Sequence, residues 1–342
     1  MDAFARYAVA AAREAIAMAN LTVTEQNRTR IATAIASCHG GIASLEKAAA
    51  ALRERGAARV SPLTIPLSLP NMGGSQISLA LGLHGPTVTP AAACASGTQA
   101  ILDGITMIER GEADVVIAGG ADATLTPLGI AGYASLGALS PGHGDPARVS
   151  RPFAASRDGF VLSEGAAAMV LESEAHAVRR GATVLALAPG AGATSDSYHL
   201  TSPDPSGTQA ARAMGIALKR SGLGAEDVDY VAAHATSTRV GDIAETQAIR
   251  TAFGEHADRL AVSATKSLAG HLLGAAAALA AVTCVLAIRD GIVPPTINLD
   301  DPDPDCDLDY VAHTARRMQV RAAIANGFGF GGQNASVLFA RA

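Results

Sequence analysis

In Pro86-Thr87-Val88-Thr89-Pro90-Ala91-Ala92-Ala93-Cys94-Ala95-Ser96-Gly97 an extended apolar run ends on a cysteine, and a Ser-Gly pair opens an apolar helical pattern that continues to Arg110. The spacing predicts a strand over 86–93 and a helix over 96–110, with Cys94 in the turn between them. A strand running directly into a helix is the unit of an α/β sheet. The same alternation recurs on either side: residues 4–19 are helix-periodic, and 30–37, 113–120 and 166–171 read as strands. The second half repeats the order, with a strand over 183–191, a helix over 208–221, strands over 230–234 and 260–265, an apolar helix over 272–288, and strands over 322–327 and 335–340. The halves match except at their beginnings, where the second half opens with a strand that the first lacks. The expectation is a fused, duplicated α/β chain with halves 1–175 and 176–342, incomplete by one strand at its N-terminal end. An approximate repeat with nothing missing is the alternative.

The 342 residues include 35 glycines and 49% apolar residues but no Trp, a composition that suits close packing and many tight turns. That length fits two lobes or one large α/β unit and excludes a disordered tail. With 26 basic against 31 acidic residues and no basic run, the footprint of a nucleic-acid binder is missing. The most apolar stretch, 272–288, is shorter than the roughly 20 residues that cross a bilayer and contains Gly274 and Thr283, so it reads as a buried helix and not a membrane insertion. The opening residues show no basic region followed by an apolar run, as a secretory signal would. Four cysteines, Cys38, Cys94, Cys284 and Cys306, are scattered without a CxxC pair. Their spacing argues against zinc and against a disulfide framework, and makes the reducing cytoplasm the default location.

Chemistry concentrates at four strand ends. Cys94 at a helix entrance meets unpaired N–H groups that favour thiolate over thiol, so a nucleophile with a lowered pKa is expected; a small buried residue is the ordinary reading. His234 ends an apolar strand and opens Thr236-Ser237-Thr238, a hydroxyl-rich turn suited to a polar substrate arm or, more simply, a capped turn. Lys266 and His271 sit at the entrance of the long apolar helix, where a solvated loop is the plain alternative. Asn326-Gly327-Phe328-Gly329-Phe330-Gly331-Gly332-Gln333-Asn334 leads into a strand and lacks a following Lys-Ser/Thr, so phosphate-loop and dinucleotide readings fail. Its glycines either expose a backbone N–H as an oxyanion donor or make an ordinary turn.

Together with Pro70-Asn71-Met72, Arg151-Pro152-Phe153, Arg157-Asp158-Gly159-Phe160 and Pro294-Pro295-Thr296-Ile297-Asn298, these segments resemble the β-ketoacyl-acyl carrier protein synthases, condensing enzymes of the thiolase-like fold, and particularly the elongating synthase II type. The resemblance runs from Asp2 to the C-terminus. It implies a five-layer α/β/α/β/α fold, a homodimer, and decarboxylative Claisen condensation of malonyl-acyl carrier protein with an acyl thioester in fatty acid chain elongation. No metal or organic cofactor is implied. Substrates would arrive on the phosphopantetheine of acyl carrier protein, the implied partner. In the family's terms Cys94 takes the acyl group, His234 and His271 donate to the enolate, and Lys266 orients or supports His271. The backbone N–H groups of Cys94 and Phe330 would form the oxyanion hole, Thr236 and Thr238 would bind pantetheine, and Phe328, Phe330 and His39 would contact the acyl chain.

Several positions depart from the family pattern. His39 stands where an apolar residue is usual, Ala235 where glycine is, and Ala280 where an acidic residue backs the Lys266 and His271 pair. Gly137 replaces a basic residue for carrier docking, leaving Arg53, Arg55 and Arg59 as candidates. The absent strand is expected at the centre of the first sheet. An inactive paralogue, a non-condensing partner subunit and a polyketide ketosynthase are the alternative functions; Cys94 argues against the partner subunit.

Overall fold

The computed structural model describes every residue except His143. Its first half is built on β1 (Ile31–Ala36), β2 (Thr87–Val88), β3 (Val115–Asp122) and β4 (Gly165–Glu172), in the order β2-β1-β3-β4. The second is built on β5 (Leu187–Ser195), β6 (Tyr230–Ala232), β7 (Ala261–Ser263), β10 (Ala322–Gly329) and β11 (Gln333–Ala340), in the order β5-β11-β10-β6-β7. A separate ribbon pairs β8 (Ile292–Val293) with β9 (Arg316–Arg317). β3 is buried along its whole length because it lies inside the sheet with helices on both faces, which is why it reads as an unbroken apolar run.

The helices are α1 (Ala3–Met18), α2 (Ile42–Arg55), α3 (Thr64–Ser68), α4 (Met72–Leu81), α5 (Ser96–Glu109), α6 (Pro127–Ser135), α7 (Glu174–Arg179), α8 (Thr208–Ser221), α9 (Arg239–Phe253), α10 (Lys266–Ala269) and α11 (Gly274–Asp290). α1 and α4 cover the outer face of the first sheet, α8 packs on the outer face of the second with α9 against it, and α5 and α11 fill the layer between the sheets. That central layer depends on small residues: a Cβ on Gly97 would lie 2.4 Å from the Ala278 backbone nitrogen. The result is the expected five-layer, thiolase-like α/β/α/β/α fold.

Pairing makes the duplication explicit. β3 and β4 form eight antiparallel pairs, and so do β10 and β11. Parallel neighbours follow on the far side in both halves, β1 then β2 in one and β6 then β7 in the other. The counterpart of β5 is the only strand lacking in the first sheet, among the described residues. Its place is the outer edge beside β4, as β5 is the outer edge beside β11, and not the sheet centre. The cost of an unfilled place is therefore an open edge and no break in the buried ladder. Two other expectations change. The strand over 86–93 contracts to Thr87–Val88, because Pro86 and Pro90 bracket it and donate no ladder N–H. The strand expected over 183–191 lies at Leu187–Ser195.

Candidate active site

The strand ends of both halves meet at one cavity of about 490 Å³ lined by Cys94, His234, His271, Thr236, Thr238, Phe328 and Phe330, with others. Cys94 follows Ala93, whose φ of +46° bends the chain sharply ahead of α5. Ser96 Oγ steadies that bend, accepting from the Ala92 N–H at 2.8 Å and donating to the Ala93 carbonyl. Opposite it, the β10–β11 hairpin carries Phe330 at its tip. A Cβ on Gly329 would fall 2.4 Å from the Ala92 carbonyl oxygen and 3.1 Å from the Cys94 nitrogen, so only glycine lets the hairpin approach this closely.

Cys94 Sγ lies 3.1 Å from His271 Nε2. The His271 and His234 ring centroids are 5.7 Å apart and nearly perpendicular, at 85°. Burial, then the Lys266 charge, holds both imidazoles well below the usual histidine pKa, so they are neutral. In each ring Nδ1 is buried without a partner. An orphaned acceptor is tolerated better than an orphaned N–H, which assigns the proton to Nε2 in both. The Cys94 thiol is pushed up to about 12, first by burial; Lys266 and the backbone N–H groups of Phe330 and of Cys94 itself oppose this without reversing it. The expected lowering by the helix entrance is thus overturned: desolvation outweighs it.

Lys266 is buried, and burial brings it down to about 8 against the attraction of Glu245, Cys94 and Asp242. Its Nζ donates to the His234 carbonyl oxygen and not to the His271 ring. Glu245, on α9, accepts from the N–H groups of His234 at 2.8 Å and Ala235 at 2.6 Å and from Asn326 Nδ2 at 3.1 Å. Glu245 thus braces the turn after β6 and attracts the Lys266 charge. Beyond His234, Ala235 and Ser237 have φ of +24° and +67°, and the Thr236 and Thr238 hydroxyls come within 3.0 Å of each other at the cavity wall. Buried Arg157 donates to the Thr238 and Arg239 carbonyls and pairs with Asp303 at 2.7 Å and Asp242 at 3.2 Å, which locks this turn.

His39 does not line the cavity. Its Nε2 is 3.4 Å from the Tyr133 hydroxyl, Tyr133 packs edge-on against Phe160, and Phe160 against His271. Cys38, His39 and Asp122 hold metal-ligand atoms within 4.8 Å of one another. However, the Asp122 carboxylate already accepts from Ser37 Oγ and from the N–H groups of Cys38, His39 and Gly274, which makes it a brace between β1 and α11. Gly137 lies at the cavity lining, whereas Arg53, Arg55 and Arg59 are exposed and do not line it. Sequence reasoning missed Glu245 and gave Asn326 no role.

Residues 1–177 match the Beta-ketoacyl synthase, N-terminal domain, and 185–300 the Beta-ketoacyl synthase, C-terminal domain. The chain is 44% identical over 339 residues to a 3-oxoacyl-[acyl-carrier-protein] synthase 2 of Synechocystis sp., spanning 99% of this chain and 82% of that protein. The enzyme of the same description from Vibrio harveyi is 44% identical over 340 residues, with the same coverage. A crystal structure of a Beta-ketoacyl synthase from Burkholderia phymatum superposes with a TM-score of 0.92 at 37% identity, over 99% of this chain and 82% of that one. A chain of a type II PKS acyl-carrier protein in complex with its ketosynthase bound to the hexaketide gives 0.95 at 31% identity, over 99% and 85%. Both domains fall on this chain in order and relatives match it almost end to end, so the chain belongs to the β-ketoacyl synthase family.

Proposed function

We propose that the protein is a 3-oxoacyl-acyl carrier protein synthase that extends fatty acyl chains by decarboxylative Claisen condensation on Cys94. The contact of Cys94 Sγ with His271 Nε2 at 3.1 Å, inside the cavity shared with His234 and the Phe330 N–H, carries this reading. In the first half-reaction the Cys94 sulfur bonds to the acyl carbon, the bond between that carbon and the pantetheine sulfur breaks, and the thiol proton leaves with the pantetheine sulfur. In the second, malonyl thioester loses carbon dioxide, and its electron pair becomes an enolate whose oxygen accepts from Nε2–H of His234 and His271. Each such aligned donor is worth on the order of 3 kcal/mol. The enolate carbon then attacks the Cys94 thioester, the Cys94 and Phe330 N–H groups hold the oxyanion, and collapse expels the Cys94 thiolate. The chain supplies its own nucleophile and donors, so these steps call for no metal or organic cofactor.

The Thr236 and Thr238 hydroxyls suit the amides of a pantetheine arm, and Phe328 and Phe330 suit its acyl end. Lys266 and Glu245 act as positioning residues through the His234 backbone. The partner is acyl carrier protein, as in the polyketide complex, and the setting is the cytoplasm, in keeping with four free cysteines. Among the described residues no helix is long and apolar enough to cross a membrane. A homodimer is supported by the open β2 edge and by the exposed apolar side chains of Leu63, Ile65 and Leu79, which are 58%, 64% and 75% exposed. Sedimentation should give twice the chain mass, and Leu79→Glu should shift it toward monomer.

The decisive test is intact-mass analysis with acyl-acyl carrier protein. Wild type gains the acyl mass and Cys94→Ala does not; acylated Cys94→Ala would end the nucleophile assignment. Cys94→Gln keeps malonyl decarboxylation while losing condensation, because both histidines remain. Loss of both activities in a folded variant would contradict the division of roles.

A further inference from the structure

Asn326 lies midway along β10, directly opposite Ser336 of β11, and both residues are wholly buried. Ser336 Oγ donates to Asn326 Oδ1 at 2.8 Å, which turns the amide nitrogen toward Glu245 Oε1 at 3.1 Å, with Met214 Sδ of α8 at 3.4 Å. The reverse orientation would set a carbonyl oxygen against a carboxylate oxygen inside the core, so the hydroxyl fixes the amide. The Glu245 carboxylate, itself buried, takes three N–H donors, from His234, Ala235 and Asn326, and Asn326 is the one side chain among them. Two residues on along the same face of β10, Phe328 meets the His234 ring with centroids 5.7 Å apart. The strand thus reaches His234 twice, at its ring through Phe328 and at its main chain through Asn326 and Glu245.

Charge decides what the Asn326 contact is for. Burial raises the Glu245 carboxyl, and the Ala235 and His234 N–H groups, the Asn326 amide and the Lys266 charge oppose that rise. Lys266 depends in turn on Glu245, which does most to hold its ammonium up against burial. The titratable and charged groups facing Lys266 are Glu245 and Asp242 of α9, Cys94 ahead of α5, His234 after β6 and His271 ahead of α11. Asp242 already pairs with Arg157 at 3.2 Å, so Glu245 is the carboxylate left to Lys266. We propose that Asn326, oriented by Ser336, is a positioning residue that completes the donor set of Glu245 and keeps its carboxylate on the His234 and Ala235 N–H groups, beside Lys266. An asparagine suits both neighbours, donating to the acid and accepting from the hydroxyl. The inference rests on the part proposed for His234 and Lys266 in malonyl decarboxylation.

The test measures decarboxylation of malonyl-acyl carrier protein against pH, with intact-mass acylation of Cys94 alongside. Asn326→Leu keeps the volume and removes both hydrogen bonds. Glu245 then takes up a proton more readily and Lys266 loses the charge that sustains its own. The alkaline midpoint near 8 should move down by about one pH unit, with kcat about five-fold lower at pH 7 and KM changed less than about two-fold. Acylation, which does not use His234, should change less than about three-fold. Ser336→Ala, a smaller change that frees the amide to turn, should move the midpoint the same way by a lesser amount, and it decides the matter if Asn326→Leu does not fold. In Glu245→Gln, where there is no charge to hold, adding Asn326→Leu should cost less than about two-fold more. An unmoved midpoint in the folded variants would overturn the inference. So would losses that multiply in the double variant, since Asn326 would then serve only the packing of β10. A wild type that takes the acyl group and does not decarboxylate malonyl thioester would instead remove the role of His234, and the inference with it.

Discussion

At Lys266 an ammonium is buried beside a thiol, two carboxylates and a carbonyl, and burial lowers its pKa to about 8. Below that pH the charge binds the His234 carbonyl oxygen; as pH rises through it the charge is lost and the His234 strand end loosens. Malonyl decarboxylation should therefore fall on the alkaline side with a midpoint near 8, and Lys266→Met should be slow throughout and lack that limb. A limb that persists in Lys266→Met belongs to another group. Cys94, His234, Lys266 and His271 were legible because each ends a strand in a repeated frame. Glu245 was not, since it acts through backbone N–H groups of residues ten and eleven positions away. A trace was present: Asp242 and Glu245 share the buried stripe of α9 with Ile249 and Phe253, and acids on a core stripe signal a polar network. Within the single chain His39 stands apart from the cavity lining and faces the Tyr133 hydroxyl, a contact that no local pattern records.

The turn after β6 shows how an element aims its side chains. Ala235 is held at φ +24° by Glu245 on its N–H and by the Arg157 network behind Thr238. A left-handed L-residue costs about 1–2 kcal/mol, and glycine returns about 0.5–1 of this through unfolded-chain entropy. Ala235→Gly should raise stability by about 0.5–1 kcal/mol, seen as a higher urea midpoint at unchanged slope. A lower midpoint would mean that the Ala235 methyl, buried in the second half's core, contributes more than the strain it imposes. Elements with clean periodicity, such as α8, were read to the residue. Those with mixed faces, α2, α4, α6 and α9, escaped. β2 is shorter than its apolar run implies because Pro86 and Pro90 bracket it.

In the whole molecule the two halves share a frame and differ in what interrupts it. The β10–β11 hairpin closes through Phe330, Gly331 and Gly332, while β3 and β4 are joined by residues 123–164, which carry α6 and the Arg157 to Phe160 segment. Chain entropy makes the longer closure costlier by about 2 kcal/mol, as (3/2)RT ln n gives for the two loop lengths. The half that presents the histidines should thus organise before the half that presents the cysteine. Pulsed hydrogen labelling during refolding should protect β10 and β11 ahead of β3 and β4, and simultaneous protection would mean that the sheets assemble only together. The excursion that delays the first half also supplies Phe160 against His271 and residues 136–138 of the cavity wall. The nucleophile is accordingly enclosed last, once its neighbours are in position, and a reactive thiol spends little of the folding time exposed beside an incomplete pocket.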